Sequence, residues 1–408
     1  MKRITILIVI LCTCWASGAW AQPRTVMQRM GRRVPTKSST LTNRSVGAPA
    51  AQALNVKVYD LGHYPGGTWA EPRDINDFGV VVAFGDVPPN DYTHPIGVPL
   101  FGPRSMKWFD LGTLGGERTD AEVMCMGVAD TGMIVGHAAI TGGEIVRAFA
   151  WTPKSGMVDI GTLGGSDTFS LAYAVNKTGT LIVGWSGSEF QGQDSLPVVW
   201  TPKVVWTSGG PTVTWNIQKL DMEGFDGATY WIATAVNDFG QIVGTATNSD
   251  GVSIAVLWNP DRARGWKITQ LPVTPAYPNT APSDLNDRGE IVGYVAAPDW
   301  STWFPALWNP VTPLRSTYNL TQLTSLTGSQ QGWAEANGIN DLGNIVGDSY
   351  DADGNDIAAL WSTGNPNFIE VLGFPGTWNF ALKVNNNRIA VGAYGSDTIL
   401  ENVAAVQF

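Results

Sequence analysis

Aromatic rings beside carboxylates are the first chemistry this sequence offers. The triplet Trp-Ala-Glu occurs twice, as Trp69-Ala70-Glu71 and as Trp333-Ala334-Glu335. On a strand, residues two apart project from the same side, so each triplet sets a ring and a carboxylate together. Such a pair suits the faces and hydroxyls of a sugar, or a cationic group. Phe169, Tyr230 and Trp378 hold the position of the two Trp elsewhere in the chain, seven residues before a recurring Asn. Glu71 and Glu335 could instead act as acid and base on a glycosidic bond, which would require two carboxylates facing each other across a cleft.

Other candidates are weaker. The run Asp351-Ala352-Asp353-Gly354-Asn355-Asp356 alternates carboxylates around a glycine, and Asp351, Asp353 and Asp356 would suit Ca2+. It lacks the bidentate Glu of a full EF-hand loop and falls where a polar turn is due. A plain turn is the favoured reading, with no cofactor. His63, His94 and His137 fall at three different places in the repeat: after a strand, in a loop, and after another strand. They are expected near one rim, without the convergence that a metal or proton-transfer centre needs. The chain has no Gly-x-Ser-x-Gly, His-Glu-x-x-His or phosphate-binding loop, so no catalytic residue is assigned.

The elements that carry these residues are repeated. A unit of the form apolar-Asn-Asp-x-Gly-x-Ile-Val-Gly recurs around Asn76, Asn237, Asn286 and Asn340. Weaker copies centre on Ala129, Asn176 and Asn385, at spacings of 45 to 61 residues overall. Asn and Asp cap a short turn and Gly takes the positive φ it demands, so each copy predicts a β-hairpin. In the last copy Arg388 replaces the Gly, and Asn387 is expected to adopt that conformation. The copy at Asn176 has one extra residue, expected to form a bulge. After each hairpin comes a strand such as Val198-Val199-Trp200 or Ala306-Leu307-Trp308, then one ending in Leu-Gly, as in Asp110-Leu111-Gly112-Thr113-Leu114-Gly115-Gly116. The repeated Trp151, Trp200, Trp258, Trp308 and Trp361 are expected in the core.

Four short strands per unit, seven units, predict a seven-bladed β-propeller of four-stranded antiparallel blades over residues 54–408. We name the strands of a blade A to D from the channel outward. The last unit stops after its C strand at Phe408, while Val56-Lys57-Val58-Tyr59-Asp60-Leu61-Gly62 is a D strand without a blade. Residues 54–62 should therefore pair with the last blade and close the ring, leaving no open sheet edge. The aromatic set then surrounds the channel mouth where D–A loops enter the innermost strands, either as a ligand surface or, the favoured reading, as plugs between adjacent blades.

With Leu-Gly-Thr-Leu-Gly-Gly, Asn-Asp-x-Gly and Ile-Val-Gly in hand, residues 54–408 resemble the HAF family of probable extracellular repeat proteins. Arg147-Ala148-Phe149 stands where the family name implies His-Ala-Phe. The resemblance implies export and propeller-like repeats, and transfers no catalytic residue.

Composition narrows the partners. The 408 residues carry a net charge of −10, with 47 Gly, 25 Pro and 18 Trp against 15% charged residues. That excludes a helical bundle and, with 44% hydrophobic residues, general disorder. The acidic balance argues against nucleic acid. Lys2 and Arg3, the apolar run Ile4–Leu11 and Ala19-Trp20-Ala21 read as a signal peptide, residues 1–21, cut before Gln22. A secreted or periplasmic location follows, with no transmembrane segment once the signal is removed. Cys125 is then the sole thiol, so no internal disulfide forms. Residues 22–53 read as a disordered linker with Arg24, Arg29, Arg32, Arg33, Lys37 and Arg44 and no acid. Beyond them, 17 basic residues face all 35 acids. The expectation is a monomeric, exported binding or scaffold module for an extracellular glycan or protein. The alternative is a propeller hydrolase or lyase acting on extracellular polysaccharide.

Overall fold

Each repeat Asn caps a tight turn between two paired strands. In a computed structural model of the chain, Asn237 shows how. Its Oδ1 accepts the N–H groups of Phe239 (3.1 Å) and Gln241 (2.9 Å), and its own N–H donates to the Gln241 carbonyl (3.1 Å). The structure describes residues 54–408 apart from 90–91, 117–122, 191–193, 208–209, 226, 313–315, 329–332 and 397–400. The expected signal (1–21) and basic linker (22–53) lie outside the described residues.

Strand β1 (Lys57–Gly62) precedes the blades. Blade 1 holds β2 (Ala70–Ile75), β3 (Val80–Val87), β4 (Tyr92–Pro99) and β5 (Phe109–Asp110). Blade 2 holds β6 (Met124–Val128), β7 (Ile134–Ala139), β8 (Val146–Thr152) and β9 (Gly156–Asp159). Blade 3 holds β10 (Phe169–Val175), β11 (Ile182–Gly187), β12 (Leu196–Thr207) and β13 (Gly210–Lys219). Blade 4 holds β14 (Ala228–Val236), β15 (Ile242–Asn248), β16 (Ser253–Asp261) and β17 (Gly265–Gln270). Blade 5 holds β18 (Asn279–Leu285), β19 (Ile291–Ala296), β20 (Trp303–Pro310) and β21 (Tyr318–Gln322). Blade 6 holds β22 (Ala334–Ile339), β23 (Asn344–Tyr350), β24 (Asp356–Ser362) and β25 (Asn365–Val371). Blade 7 holds β26 (Trp378–Val384), β27 (Ile389–Gly395) and β28 (Asn402–Gln407), and β1 completes it.

The result is seven antiparallel four-stranded sheets, as the repeat predicts. β1 runs antiparallel to β28 from Lys57 opposite Gln407 to Gly62 opposite Val403. Tyr394 donates its hydroxyl to Asp60 (2.7 Å), and the Trp108 indole N–H reaches the Leu61 carbonyl (2.9 Å). These contacts hold β1 in blade 7 and tie it to blade 1.

Blades bury both faces against their neighbours, so the strands are apolar throughout rather than alternating. Trp200, Trp258, Trp308 and Trp361 are fully buried, and Trp151 is half-buried. Three of them also tie blades together, since the indole N–H groups of Trp258, Trp308 and Trp361 reach Asp221, Pro272 and Thr324 in the preceding blade's exit loop.

Three local expectations are corrected. In the last turn Arg388, not Asn387, takes the left-handed conformation (φ +56°), because Arg388 N–H must reach the Asn385 carbonyl (3.1 Å) and so holds the glycine position. The extra residue after Asn176 is absorbed in its turn: Asn176 N–H reaches Leu181, and Asn176 Oδ1 accepts from both Thr180 and Leu181. The histidines are also placed differently. His94 lies within β4 and His137 is buried within β7, so only His63 is in a loop.

Candidate functional site

The channel wall is made by a bulge repeated in all seven A strands. Pairing with the B strand skips one residue each time: Arg73, Met126, Tyr173, Thr234, Ser283, Asn337 and Leu382. The bulge drives an A-strand carbonyl against the B strand, where a side chain would collide. A Cβ on Gly184 would strike the Leu171 carbonyl, which is why Ile-Val is followed by Gly. All seven skipped residues line the central channel, whose volume is about 170 Å³. These lining residues were not singled out from sequence.

Charges sit at two levels of this channel. Deeper in the wall, Asp74 accepts the N–H groups of Ile75 (2.8 Å) and Val128 (2.9 Å). Asp284 accepts from Ile339 (3.0 Å) and pairs with Lys383 (2.8 Å). Each Asp thus holds the next blade's A strand. Burial pushes Asp74 up to about 6, against the pull of Lys383 and of its two N–H partners.

At the A–B end, the residue after each turn Asn forms a ring. Asp77 N–H donates to Asp130 (2.9 Å), Asp238 to Asp287 (3.0 Å), Asp287 to Asp341 (2.8 Å), Asp341 to Asn386 (2.9 Å) and Asn386 to Asp77 (2.7 Å). Asn386 also donates its amide to Asp77 and Asp341, separating two carboxylates with a neutral group. Lys177 of blade 3 forms an ion pair with Asp341 of blade 6, with Asp287 at 4.0 Å. Burial raises Asp130 and Asp287. Burial would raise Asp341 too, but Lys177 and its other donors hold it below the usual range.

The aromatic set lies at the opposite, D–A end. Trp69, Phe169, Trp333 and Trp378 are half-buried, whereas Tyr230 is buried at 3% exposure. Each half-buried ring is pinned by another ring. Trp69 meets Phe84 edge-on (5.5 Å between centroids) and Phe169 meets Phe190 (6.1 Å). Trp333 stacks on Trp303 (5.3 Å) and Trp378 on Phe380 (6.4 Å). Trp333 also holds φ +66°, fixed by its N–H to the Trp303 carbonyl (2.7 Å). The carboxylates do not accompany the rings to the surface: Glu71 and Glu335 are both 5% exposed. Glu71 pairs with Arg73 (3.0 Å), whose guanidinium lies over Phe84.

The remaining candidates stay apart. His63 Nδ1 contacts the Tyr64 carbonyl, and His94 Nδ1 lies 2.9 Å from the Asp110 carboxylate. His137 is pushed down to about 3 by burial and the Arg73 charge, so it is neutral. Burial pushes the Cys125 thiol up to about 12. Asp351 caps its own turn through the N–H groups of Asp353 and Asn355, and Asp356 is buried at the start of β24. Among the described residues no three His, Cys, Asp or Glu side chains are grouped to hold a metal. Among them, too, no helix is long and apolar enough to cross a membrane.

No family model matches the chain, and no curated protein matches it. Solved structures do. The β-propeller domain of the Trilobed protease from Pyrococcus furiosus is 10% identical with a TM-score of 0.51, covering 83% of this chain and 95% of that one. The likeness is one of fold. That domain is described as having an open velcro topology, whereas β1 closes the present ring. Trypanosoma rangeli sialidase is 11% identical (TM-score 0.46), covering 88% of this chain and 60% of that one. TolB from Acinetobacter baumannii is 12% identical (TM-score 0.41), covering 72% and 66%.

Proposed function

We propose that the protein is a non-catalytic binding module, exported as the HAF resemblance implies, that receives a glycan on its D–A face. One observation carries this reading: on four blades a ring at that face is partly exposed yet immobilised by a second ring. Preset aromatic planes bind sugar faces without the entropy cost of ordering them. The Trp333 backbone, held in a conformation unfavourable for any residue but glycine, adds rigidity at the same place. Glu71 favours binding over acid–base work, because its buried carboxylate is already engaged by Arg73.

A glycan array followed by calorimetry on the best hit tests this. Trp69→Ala and Trp333→Ala should each weaken binding at least tenfold while the melting temperature stays within a few degrees. Tyr230→Ala is the contrast: its ring is core, and its loss should cost about 3–5 kcal/mol of stability, like other buried aromatics. Full glycan affinity in both Trp variants would refute the site.

A further inference from the structure

The C–D hairpin of blade 3 is built unlike those of the other blades. Its D strand, β13, has ten residues where the other D strands have two to seven. β11 pairs with β12 only as far as Trp200, yet β12 and β13 stay paired in one register out to Thr207 opposite Gly210. In blade 4 the ribbon beyond the last residue paired with the B strand, Trp258, runs only from Asn259 to Asp261. The blade 3 ribbon, from Thr201 to Thr207, is four residues longer, or about 13 Å. Residues directly opposite each other share a face, and faces alternate along a strand. Val204 lies opposite Val213 and Trp206 follows two residues on, so all three share one face. They are 59%, 55% and 79% exposed, and Trp206 is the most exposed large hydrophobic among the described residues. Nearer the ring, Trp215 and Ile217 continue this face, half-buried against the cluster of Trp200. The other face carries Lys203, Thr212 and Thr214, and the two hydroxyls donate to the Val205 and Lys203 carbonyls (3.2 Å each).

We propose that this hairpin anchors the propeller on an anionic membrane surface, with Trp206 entering the lipid interface. Single exposed apolar residues are ordinary, but an apolar stripe on a projecting ribbon needs an occupant. Charge selects the lipid. From Leu196 to Lys219 the chain has Lys203 and Lys219 and no acid, although acids outnumber basic residues 35 to 17 beyond residue 53. Exposed Lys154 and Arg262 stand on the C–D turns of the two neighbouring blades. Asp261, the one acid in those turns, is spent on capping the N–H groups of Ala263 and Arg264 (2.8 and 2.9 Å). Arg264 contributes less, because Asp221 and Glu223 already pair with it. Depth fits as well. Apolar faces at a bilayer surface sink about 5–10 Å, within the 13 Å that the ribbon stands clear. Trp is favoured at that level, and Lys203, three residues or about 10 Å back from Trp206, then sits among the phosphates. Entry stops at the interface, since the ribbon's outer edges carry backbone groups that only water or headgroups satisfy. A second copy is a poorer match: one Trp and two Val offer roughly 300 Å², well under the ~800 Å² per partner of a stable protein pair. Successive strands of a blade are antiparallel, so the C–D hairpin lies at the end opposite the D–A loops and leaves the glycan face open.

Co-sedimentation of the full chain with phosphatidylcholine vesicles, with and without phosphatidylglycerol, tests this. The wild type should bind the anionic vesicles, and several-fold less in 1 M salt, where the screening length is about 3 Å. Trp206→Ala should weaken binding at least tenfold and Lys203→Glu several-fold, with melting curves unchanged because both side chains are exposed. Trp69→Ala, on the D–A face, should bind vesicles like the wild type, so this proposal and the glycan site fail independently. Brominated lipid should quench part of the tryptophan emission, and that part should be missing in Trp206→Phe. Binding to anionic vesicles that survives Trp206→Ala would assign it to the basic segment 22–53 and overturn the proposal. So would no binding, equal binding to phosphatidylcholine alone, or quenching retained in Trp206→Phe. A concentration-dependent dimer on size-exclusion chromatography that Trp206→Ala abolishes would give the stripe to a second copy, and would overturn it too.

Discussion

Asp74 lines the channel with both carboxylate oxygens on backbone N–H groups, and it is only partly buried. Burial nevertheless raises it from 3.8 to about 6, so between those values the folded state holds a proton that the unfolded chain has released. Stability from this group is therefore greatest in acid and declines as pH rises through the window. The ceiling is about 3 kcal/mol, and solvent contact reduces it. In Asp74→Asn the pH-independent loss of one good acceptor should be about 1–2 kcal/mol, while the decline between pH 4 and 7 becomes shallower than in the wild type. Urea melts at several pH values measure both. Parallel pH curves for the two proteins would show that Asp74 does not titrate in this range, leaving Asp130 and Asp287 to account for any slope.

The A–B hairpin is the element on which the ring depends. Asn76, Asn237, Asn286, Asn340 and Asn385 each donate a side-chain amide to the next blade's turn carbonyl, and Asn385 reaches back to Asn76 (2.9 Å). Two copies depart from the pattern. Ala129 has no amide to give, and Asn176 turns its own amide to Thr178 and Thr180. The turn also tolerates a poor residue where glycine belongs. Arg388 is exposed and held at φ +56°, so Arg388→Gly relieves backbone strain and loses little packing. Against the extra unfolded-state freedom of glycine, the net gain should be about 0.5–1 kcal/mol. Thermal denaturation would register it as a rise of a few degrees. An unchanged or lower melting temperature would mean that the Arg388 side chain contributes more than its exposure implies.

For the whole molecule, closure rests on β1. Removing residues 54–62 strips a strand from β28, uncovers its hydrogen-bonding edge and deletes the partners of Tyr394 and Trp108. That truncation should aggregate or melt far below the wild type. Deleting 22–50 should leave the melting temperature within a few degrees, since that deletion uncovers no sheet edge. Size-exclusion chromatography with calorimetry compares the two, and equal melting temperatures would contradict closure by β1.

Local chemistry determined the blades. Asn-Asp-x-Gly specifies a hairpin, the Trp and Leu-Gly positions specify two more strands, and seven recurrences with one spare D strand specify a closed ring. All of that depends on neighbours in sequence, and so it could be read there. Which side chains meet across the channel depends on seven A strands brought together from positions over 300 residues apart. The bulge that aims Arg73 and Tyr173 into the channel is invisible in a single copy, because it is a mismatch of register between strands. Lys177 meeting Asp341, or Glu71 withdrawn to Arg73 while Trp69 keeps its exposure, follows only from ring geometry. Trp69 and Tyr230 hold one repeat position and differ in burial because the blades beside them pack differently. Contacts between blades decide such differences, and those contacts exist only once the ring has closed.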